Sequence, residues 1–454
     1  MPMSSVNPAN GSVLEVFETW DQVRVDKALA AAERAVPDWQ GLPLEKRVAF
    51  LRRVSGLLRD RRESLAGMIT REMGKLLREA RTEIDRCVTV CDYYADHGAL
   101  FLADEPMEVE RGHALRVHQP LGTLLGVMPW NFPFWQVFRF AAPTLLAGNT
   151  VLLKHASNVP RCALAIEGIF HDAGLPAGVF QSLMVPANAV AGIVGDRRVH
   201  GVSLTGSEKA GRAVAAAAGE ALKPSVLELG GSDPFIVLED ADLDRAVEQA
   251  LISRFQNAGQ SCIAAKRFIL LPQVAEAFLE RLRAGVEALI PGDPSREETT
   301  LAPMAREDLR DELHAQVEQS IAAGAVAVTG CRPLPGKGAW YAPSILDQVG
   351  PQARAYHEEL FGPVATVIRA RDEADAVRIA NATRFGLGGS VWTRDPARGE
   401  AVARRLACGN AFVNALVKSD PALPFGGVKD SGYGRELGRD GMLAFVNLKT
   451  LRLG

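Results

Sequence analysis

Two short stretches of the chain carry residues whose types suit covalent catalysis. The stretch Phe255 to Cys262 contains a glycine and ends in a cysteine, so it offers a soft sulfur nucleophile on a turn. The stretch Leu227 to Gly231 places Glu228 at the end of an apolar run that stops at two glycines. Desolvation at such a position raises the pKa of a carboxylate and makes it a usable base near neutrality. Together they predict a thiolate that forms a covalent intermediate and a glutamate that activates water.

The composition is that of an ordinary globular protein with more than one domain. The chain has 454 residues, of which 47% are hydrophobic and 23% charged. A formal net charge of -3 provides no basic field for nucleic acid or for an anionic membrane. No apolar run approaches the ~18 residues of a membrane helix, and Met1 to Asn10 lacks the pattern of a secretory signal. We therefore expect a cytoplasmic protein with neither nucleic acid nor a membrane as a partner.

The cysteines and histidines predict neither a disulfide framework nor a metal site. The 6 cysteines show no CxxC spacing, and the 8 histidines never repeat at the spacing of metal ligands. Cys87 and Cys91 lie four residues apart on a predicted helix and are interpreted as small core residues. This pattern fits a reducing compartment.

The hydrophobic periodicity predicts an α/β protein with two open sheets. A helix is predicted over 21–36, ending before Pro37, and a longer helical region over 44–94 breaks at Gly74. Strands are then predicted at 123–128, 150–154, 180–185, 201–205, 225–229, 235–238, 267–271, 364–370 and 411–414, with helices at 136–147, 161–172 and 209–219. This alternation is typical of parallel strands with crossover helices, and Gly230-Gly231 is the predicted domain boundary.

Two further segments predict a protruding arm. Residues 107–110 and 115–118 suggest a hairpin around Arg111 to His113, with charge at alternate positions. Phe445 to Leu453 reads as a terminal strand. Because a terminal edge strand must be paired or covered, we expect it to join another sheet, that of a neighbouring subunit.

Two motifs at strand ends suggest a ligand site, although neither is specific alone. The Asn131 amide in Pro129 to Pro133 can donate to a developing oxyanion, and Asn is also common where turns begin. Thr205 to Ser207 opens a helix whose N-terminus suits a pyrophosphate. The glycine-rich dinucleotide fingerprint and the P-loop pattern both fail to occur, so spacing alone gives a weak nucleotide prediction.

The motifs together resemble the aldehyde dehydrogenase superfamily over nearly the whole chain. In order, they are Pro129 to Pro133, Thr205 to Ser207, Leu227 to Gly231, the Cys262 stretch, Glu358 to Pro363 and Pro424 to Gly432. Residues 133–136 and 153–158 resemble its succinate semialdehyde dehydrogenase branch. The resemblance implies two open, Rossmann-like α/β domains and a β-strand oligomerisation arm. It implies a nucleotide-binding domain of 1–105 and 122–229, a catalytic domain of 230–416, an arm of 106–121 and 434–454, and a homo-oligomer, either dimer or tetramer.

The resemblance also implies a mechanism. Cys262 attacks the aldehyde, and the Asn131 amide and the Cys262 N–H hold the oxyanion. Hydride leaves for a nicotinamide, and water activated by Glu228 hydrolyses the resulting thioester. We expect a cationic or dipolar environment to lower the pKa of the Cys262 thiol.

The residues implied to bind the cofactor are Trp130, Lys154, Ser157, Gly206, Ser207, Leu229, Glu359 and Phe361. Lys154 matches the lysine that bonds the adenosine ribose, and Glu359 the glutamate that fixes the nicotinamide ribose. Phe361 lines the nicotinamide side. Many NAD-preferring relatives carry a glutamate at the position of Ser157, and that charge repels a 2′-phosphate. We therefore expect NADP to be preferred and NAD to be usable.

The substrate residues implied by the resemblance are Trp135, Arg139 and Ser419. Arg139 matches an arginine that binds the far carboxylate of succinate semialdehyde, which is the expected substrate. The alternative is that Arg139 forms a structural ion pair. Gln256 stands where many relatives carry a second arginine, so glutarate semialdehyde or neutral aldehydes are alternative substrates. Ala264 replaces a cysteine found in some relatives, which predicts no local disulfide.

Other interpretations of the same residues remain open. Cys262 could be a small core residue, Glu228 a salt-bridge partner, and Trp135 simple packing. A cysteine protease needs a histidine base that nothing here singles out. A coenzyme-A-acylating relative typically lacks the glutamate. A catalytically silent structural protein on the same fold is a further alternative.

Overall fold

The computed structural model describes residues 3–454 as two large sheets flanked by helices, with two small sheets beside them. The strands are β1 (Met3–Val6), β2 (Val13–Phe17), β3 (Glu105–Met107), β4 (His113–Pro120), β5 (Thr123–Met128), β6 (Thr150–His155), β7 (Phe180–Ser182), β8 (Gly201–Thr205), β9 (Ser225–Glu228), β10 (Asp233–Val237), β11 (Ala265–Leu270), β12 (Val326–Thr329), β13 (Ser344–Asp347), β14 (Val364–Arg369), β15 (Gly388–Trp392), β16 (Asn410–Val413), β17 (Gly432–Tyr433) and β18 (Val446–Leu453). The helices are α1 (Gln22–Gly41), α2 (Leu44–Asp60), α3 (Arg62–Met73), α4 (Leu77–Leu102), α5 (Trp135–Leu146), α6 (Pro160–Asp172), α7 (Val190–Gly195), α8 (Glu208–Glu220), α9 (Leu243–Phe255), α10 (Pro272–Glu287), α11 (Glu307–Ala322), α12 (Arg354–His357), α13 (Glu373–Asn381), α14 (Pro396–Ala403) and α15 (Gly438–Leu443).

The first large sheet has the strand order β17-β9-β8-β5-β6-β7, with only β17 antiparallel. β5 and β8 have the predicted bounds, whereas β6, β7 and β9 differ at their ends. Successive residues of a strand face opposite cores: Leu124 packs towards α4 and α5, and Leu125 packs towards α1 and α7. Burial on both faces explains the continuous apolar runs. The carboxyl ends of the parallel strands lie along one edge, where Thr205 is the register partner of Glu228.

The second large sheet has the order β12-β13-β14-β11-β10-β15-β16, with only β12 antiparallel. Four strands predicted after Gly231 belong to it as β10, β11, β14 and β16, and β12, β13 and β15 were not predicted. The Gly230-Gly231 pair lies between β9 of the first sheet and β10 of the second, so the predicted boundary separates the two sheets.

Two helix predictions need correction. α1 runs through Pro37 to Gly41, because Trp39 in its last turn is buried and donates from Nε1 to the Leu145 carbonyl oxygen at 3.1 Å. The helical region of 44–94 is three helices, and α4 continues to Leu102. The break at Gly74 is confirmed: its φ of 86° is left-handed, and its N–H donates to the Thr70 carbonyl oxygen at 3.0 Å.

The predicted hairpin is present as β3 and β4, with Met107 opposite Ala114. The predicted terminal strand is β18, and its pairing with a neighbouring subunit stays a prediction. β18 pairs antiparallel with β4 of the same chain, from Val446 opposite Pro120 to Leu453 opposite His113. The chain returns beside its own hairpin after α15, so this pairing needs no second subunit. Leu448, Leu451 and Leu453 remain exposed on the resulting three-stranded sheet.

Among residues 3–454, none of the helices combines the length and the apolar character needed to span a membrane. Within that same part of the chain, no three His, Cys, Asp or Glu side chains come together as metal ligands.

Candidate active site

Cys262 follows a strained turn that other residues hold in place. Asn257, Ala258 and Gly259 have φ values of 54°, 51° and 73°, so three consecutive residues are left-handed. A side chain on Gly259 would collide with the Gly362 carbonyl oxygen, so glycine is required there. Arg254 is fully buried and donates from Nη2 to that same carbonyl at 2.9 Å. The turn therefore projects Cys262 from a rigid support.

Cys262 lies where two cavities meet. A larger cavity of about 410 Å³ is lined by Trp130, Asn131, Leu229, Glu359 and Phe361, among others. A second cavity of about 240 Å³ is lined by Trp135, Arg139 and Ser419, among others. Of the residues that the structure describes, Cys262 alone lines both cavities. A sulfur at this junction can react with a small molecule in one cavity while a second molecule occupies the other.

The expected lowering of the Cys262 pKa was wrong for this structure. Burial raises the pKa of the thiol to about 11, even though the positive charges of Lys266 and Arg139 oppose the shift. Lys266 is fixed by donating from Nζ to the carbonyl oxygens of Ser261 and Cys262, at 2.9 and 2.7 Å. Desolvation outweighs these cations, so attack by the thiol requires a base to take its proton.

Asn131 is held beside the nucleophile by the same turn. Its Nδ2 donates to the Gln260 carbonyl oxygen at 3.1 Å, and its backbone carbonyl oxygen accepts from Asn257 Nδ2 at 2.9 Å. A side-chain amide carries two N–H groups, so one donor of Asn131 remains for an oxyanion. This geometry suits the role predicted for Asn131.

Glu228 is buried at the end of β9, and neither of its carboxylate oxygens has a hydrogen-bond partner among residues 3–454. Burial raises its pKa well above the usual range, and the nearby Arg139 charge opposes that shift. The carboxylate points towards Gly426, where an added Cβ would come within 2.9 Å of Oε1. Glu228 lines neither cavity in this position, although its charge acts on the Cys262 thiol. Acting on a substrate therefore requires its side chain to rotate towards Cys262.

Six of the predicted cofactor residues line the larger cavity: Trp130, Gly206, Ser207, Leu229, Glu359 and Phe361. The Trp130 and Phe361 rings meet edge to face, with centroids 5.8 Å apart. Ser207 is the N-cap of α8, and its hydroxyl accepts from the Ala210 N–H at 3.4 Å. Gly206 and Ser207 therefore place the N-terminus of α8 in the wall of this cavity.

Glu359 explains the glycine pair at the domain boundary. It accepts from the Gly231 N–H at 3.1 Å and pairs with Lys266 Nζ at 3.0 Å. A side chain on Gly230 would collide with the Glu359 carboxylate, and one on Gly231 would approach the Cys262 carbonyl oxygen to 2.7 Å. The two glycines thus let Glu359 and the nucleophile approach the same backbone.

Lys154 and Ser157 lie outside the lining of both cavities. Lys154 stands opposite Val127 near the carboxyl end of β6, and Ser157 is exposed in the turn before α6. Burial lowers the pKa of Lys154, and within residues 3–454 it forms no ion pair. Both residues lie on the edge of the sheet that carries Trp130 and Gly206. Their roles in cofactor binding stay predictions.

Trp135, Arg139 and Ser419 all line the smaller cavity, as do Gln256 and Ala264. The Arg139 guanidinium forms an ion pair with Glu436, and its Nη2 donates to Thr205 Oγ1 at 3.3 Å. Arg139 is only 2% exposed. This geometry matches the alternative interpretation of Arg139 as an ion-pair partner, and its role in substrate binding stays a prediction.

Three basic residues of the site were not predicted from the sequence: Arg86, Lys266 and Lys418. Arg86 comes from α4 and donates from Nη2 to Ser419 Oγ at 2.7 Å. Arg86, Arg139 and Lys418 line the smaller cavity, and no acidic side chain in the described chain does. No sequence motif includes Arg86. The one indication in the sequence was its position on a predicted helix between Glu83 and Cys87, two residues that the structure shows to be buried.

Comparisons with known proteins agree with this site. The model of the aldehyde dehydrogenase family matches residues 1–451. The chain is 48% identical over 451 residues to a Synechocystis sp. protein named probable succinate-semialdehyde dehydrogenase (NADP(+)), covering 99% of both. It is 47% identical over 447 residues to the Escherichia coli succinate semialdehyde dehydrogenase (NAD(P)+) Sad, covering 98% of this chain and 97% of the relative.

A solved structure of succinic semialdehyde dehydrogenase from Streptococcus pyogenes, in complex with NADP+, superposes with a TM-score of 0.98. It shares 37% identity, and the match covers 99% of each chain. Sequence and fold agree over the full length, and the chain belongs to the aldehyde dehydrogenase family.

Proposed function

We propose that this enzyme oxidises succinate semialdehyde to succinate, with NADP as the preferred hydride acceptor and NAD as a usable one. The observation that carries the proposal is the position of Cys262 between a cavity lined by the cofactor residues and a cavity lined by basic side chains. The names of the Synechocystis and Escherichia coli relatives support the same substrate and cofactors.

The reaction begins with the Cys262 sulfur adding to the aldehyde carbon, while the thiol proton passes to a base. The Asn131 amide and the Cys262 N–H stabilise the oxyanion of the thiohemiacetal. The residues that line the larger cavity would hold a nicotinamide dinucleotide, which would supply the acceptor for the hydride that leaves this carbon. Glu228 rotates from Gly426 towards the resulting thioester and takes a proton from the attacking water. Hydrolysis releases the carboxylic acid and restores the Cys262 thiol.

The larger cavity fits a dinucleotide by its chemistry. The N-terminus of α8 offers N–H groups to a pyrophosphate. Arg384 also lines the cavity, and its charge is offset by its ion pair with Glu208. The Glu359 carboxylate can accept from ribose hydroxyls while Lys266 holds it. We propose that residues 1–105 and 122–229 bind the nucleotide and that residues 230–416 form the catalytic domain. Lys154 and Ser157 are proposed to contact the adenosine ribose and its 2′-phosphate.

The smaller cavity fits an aldehyde that carries a negative charge. Within the described part of the chain, three cations and no carboxylate line it, so an anionic substrate is favoured over a cationic one. The Trp135 ring provides an apolar wall for a short methylene chain, and the Ser419 hydroxyl provides a polar group. Arg139 contributes less charge than predicted, because Glu436 neutralises it.

A second candidate substrate is glutarate semialdehyde. Gln256 lines the cavity at the position where relatives place a second arginine. A neutral amide there holds the substrate less tightly than an arginine would and leaves room for one more methylene. Neutral aldehydes are the third candidate on the same argument.

We also propose that the protein is a homo-oligomer that assembles through the sheet of β3, β4 and β18. The exposed Leu448, Leu451 and Leu453 give this sheet an apolar character that a second copy would cover. Size-exclusion chromatography with light scattering tests it, and a monomer at micromolar concentration would refute it.

Steady-state kinetics with a panel of aldehydes and both cofactors test the proposed activity. We expect the highest kcat/KM for succinate semialdehyde with NADP, followed by glutarate semialdehyde and then butyraldehyde. A higher kcat/KM for butyraldehyde would show that the cavity does not select for charge. No cofactor reduction with any aldehyde would favour a structural protein on this fold.

A further inference from the structure

Arg86 is the cation of the smaller cavity with the most unused hydrogen-bonding capacity. Its Nη2 donates to the Ser419 hydroxyl at 2.7 Å and to the Ser419 carbonyl oxygen at 3.3 Å. Within residues 3–454, its Nε and Nη1 donate to no protein atom, and it forms no ion pair. Because a guanidinium carries five N–H donors in a planar fork, several remain for a ligand.

The nearby carboxylates are committed to other partners. Glu83, one turn before Arg86 on α4, pairs with the buried Lys75 and accepts from the Phe134 and Trp135 N–H groups at 2.8 and 3.0 Å. Glu436 pairs with Arg139. Arg86 is therefore a half-buried cation that forms an ion pair with none of the carboxylates in the described chain, although the charge of Glu83 acts on it.

Trp135 fixes the orientation of this cation. The Arg86 guanidinium carbon lies 4.5 Å from the centroid of the Trp135 ring, in a cation–π contact. The ring is 3% exposed, so packing holds it in place. Together the Trp135 ring and the Ser419 hydroxyl hold the guanidinium in the wall of the cavity that also contains Cys262.

We propose that Arg86, assisted by the Ser419 hydroxyl, binds the distal carboxylate of the substrate and determines the preference for a semialdehyde over a neutral aldehyde. This inference rests on the proposed function and assigns its charge selectivity to a residue of α4. An arginine fork can hold the carboxylate with two charge-assisted hydrogen bonds, while the aldehyde end reaches Cys262 along the Trp135 ring. The charge of Arg139 is less free than that of Arg86, because its Nε is paired with Glu436 and its Nη2 donates to Thr205.

Lys418 is the other cation in the lining. It is exposed, so water and salt screen its charge. It also lacks the planar fork that matches a carboxylate. We therefore expect Lys418 to contribute little to substrate selectivity.

The test compares wild type with Arg86→Gln, using succinate semialdehyde and butyraldehyde, which have the same number of carbons. Arg86→Gln should lower kcat/KM for succinate semialdehyde by roughly 100-fold, mainly through KM. It should leave kcat/KM for butyraldehyde within about threefold, because that substrate has no charge to bind. Arg86→Lys should recover part of the preference, since it keeps the charge and loses the fork.

Succinate provides a second readout that does not depend on semialdehyde turnover. It should inhibit butyraldehyde oxidation competitively in wild type and about 100-fold more weakly in Arg86→Gln. The matched control is Arg81→Gln, which lies on the same helix α4 and outside both cavities. This control should keep the wild-type preference and the wild-type inhibition constant.

The outcomes separate this inference from the proposed function. A wild type that oxidises butyraldehyde but not succinate semialdehyde refutes the proposed substrate, and succinate inhibition then still tests Arg86. Wild-type selectivity and inhibition in Arg86→Gln refute the role of Arg86 alone. Equal losses for both substrates in Arg86→Gln and in Arg86→Lys would show that Arg86 supports the fold, which also refutes the proposal.

Discussion

The two cavities that meet at Cys262 differ in the charges of their walls. The larger cavity contains Glu208, Glu312, Glu358 and Glu359, with Arg384 as its one basic lining residue in the described chain. The smaller cavity contains three basic residues and no acidic one among those described. A wall of carboxylates and backbone N–H groups suits hydroxyls and a pyrophosphate at a helix N-terminus, whereas a basic wall suits a carboxylate. The difference indicates that the larger cavity selects its ligand by the positions of hydrogen-bonding groups, whereas the smaller cavity selects its ligand by charge.

The largest expected effect comes from changing the two side chains assigned to the covalent chemistry, Cys262 and Glu228. Cys262→Ala should abolish aldehyde oxidation, because no covalent intermediate can form. Glu228→Gln should leave a burst of about one equivalent of reduced cofactor and then slow turnover by roughly 10²- to 10⁴-fold, because only hydrolysis needs the base. Rapid-mixing absorbance at 340 nm measures both phases. Unchanged steady-state turnover in Glu228→Gln would contradict the assignment of the base.

The electrostatics of Cys262 give the next effect, measured without cofactor or substrate. With a pKa of about 11, the thiolate fraction rises tenfold for each pH unit below that value. Alkylation of Cys262 by iodoacetamide should therefore accelerate about tenfold per unit between pH 7 and pH 10. Mass spectrometry of the peptide that contains Cys262 follows the reaction, with Cys262→Ser as the control. A rate that levels off near pH 8 would show that the cations outweigh burial.

Substitution of Arg139 tests whether its charge stabilises the fold or binds the substrate. Arg139→Gln leaves Glu436 buried without its partner, which should cost about 3–5 kcal/mol of folding free energy. It should also raise the pKa of Glu228 further, because the Arg139 charge now lowers it. Hydrolysis of the thioester should then require a higher pH.

We expect Arg139→Gln to reduce kcat/KM for succinate semialdehyde and butyraldehyde by similar factors. Thermal denaturation and pH–rate profiles measure the two consequences. A loss confined to succinate semialdehyde would support the role in carboxylate binding that the sequence suggested for Arg139.

How much of the site could be predicted from sequence follows from how it is built. The turn before Cys262, the Gly230-Gly231 pair and the start of α8 require particular backbone conformations, so local motifs identify them. The partner of Arg139 was not visible, because Glu436 is remote in sequence and meets it only across the folded core. Arg86 was not predicted as a site residue for the same reason, since its contact with Ser419 joins α4 to a loop that is distant in sequence. The raised pKa of Cys262 was missed because desolvation depends on packing that no motif encodes.

The smallest expected effect lies on the cofactor side and leaves the aldehyde cavity unchanged. Ser157 is exposed in the turn after β6, close in sequence to the cation Lys154, so a new side chain there has room. Ser157→Glu should place a negative charge near the 2′-phosphate of NADP and weaken its binding by roughly tenfold, about 1.4 kcal/mol. NAD has no 2′-phosphate, and the added carboxylate can accept from its ribose hydroxyls, so the KM for NAD should stay the same or fall. The KM for succinate semialdehyde should not change.

Ser157→Ala is the matched control, because it removes the hydroxyl without adding charge and should weaken NADP binding less than Ser157→Glu. An equal increase in KM for NADP in both variants would mean that the hydroxyl, rather than the lack of a carboxylate, sets the preference.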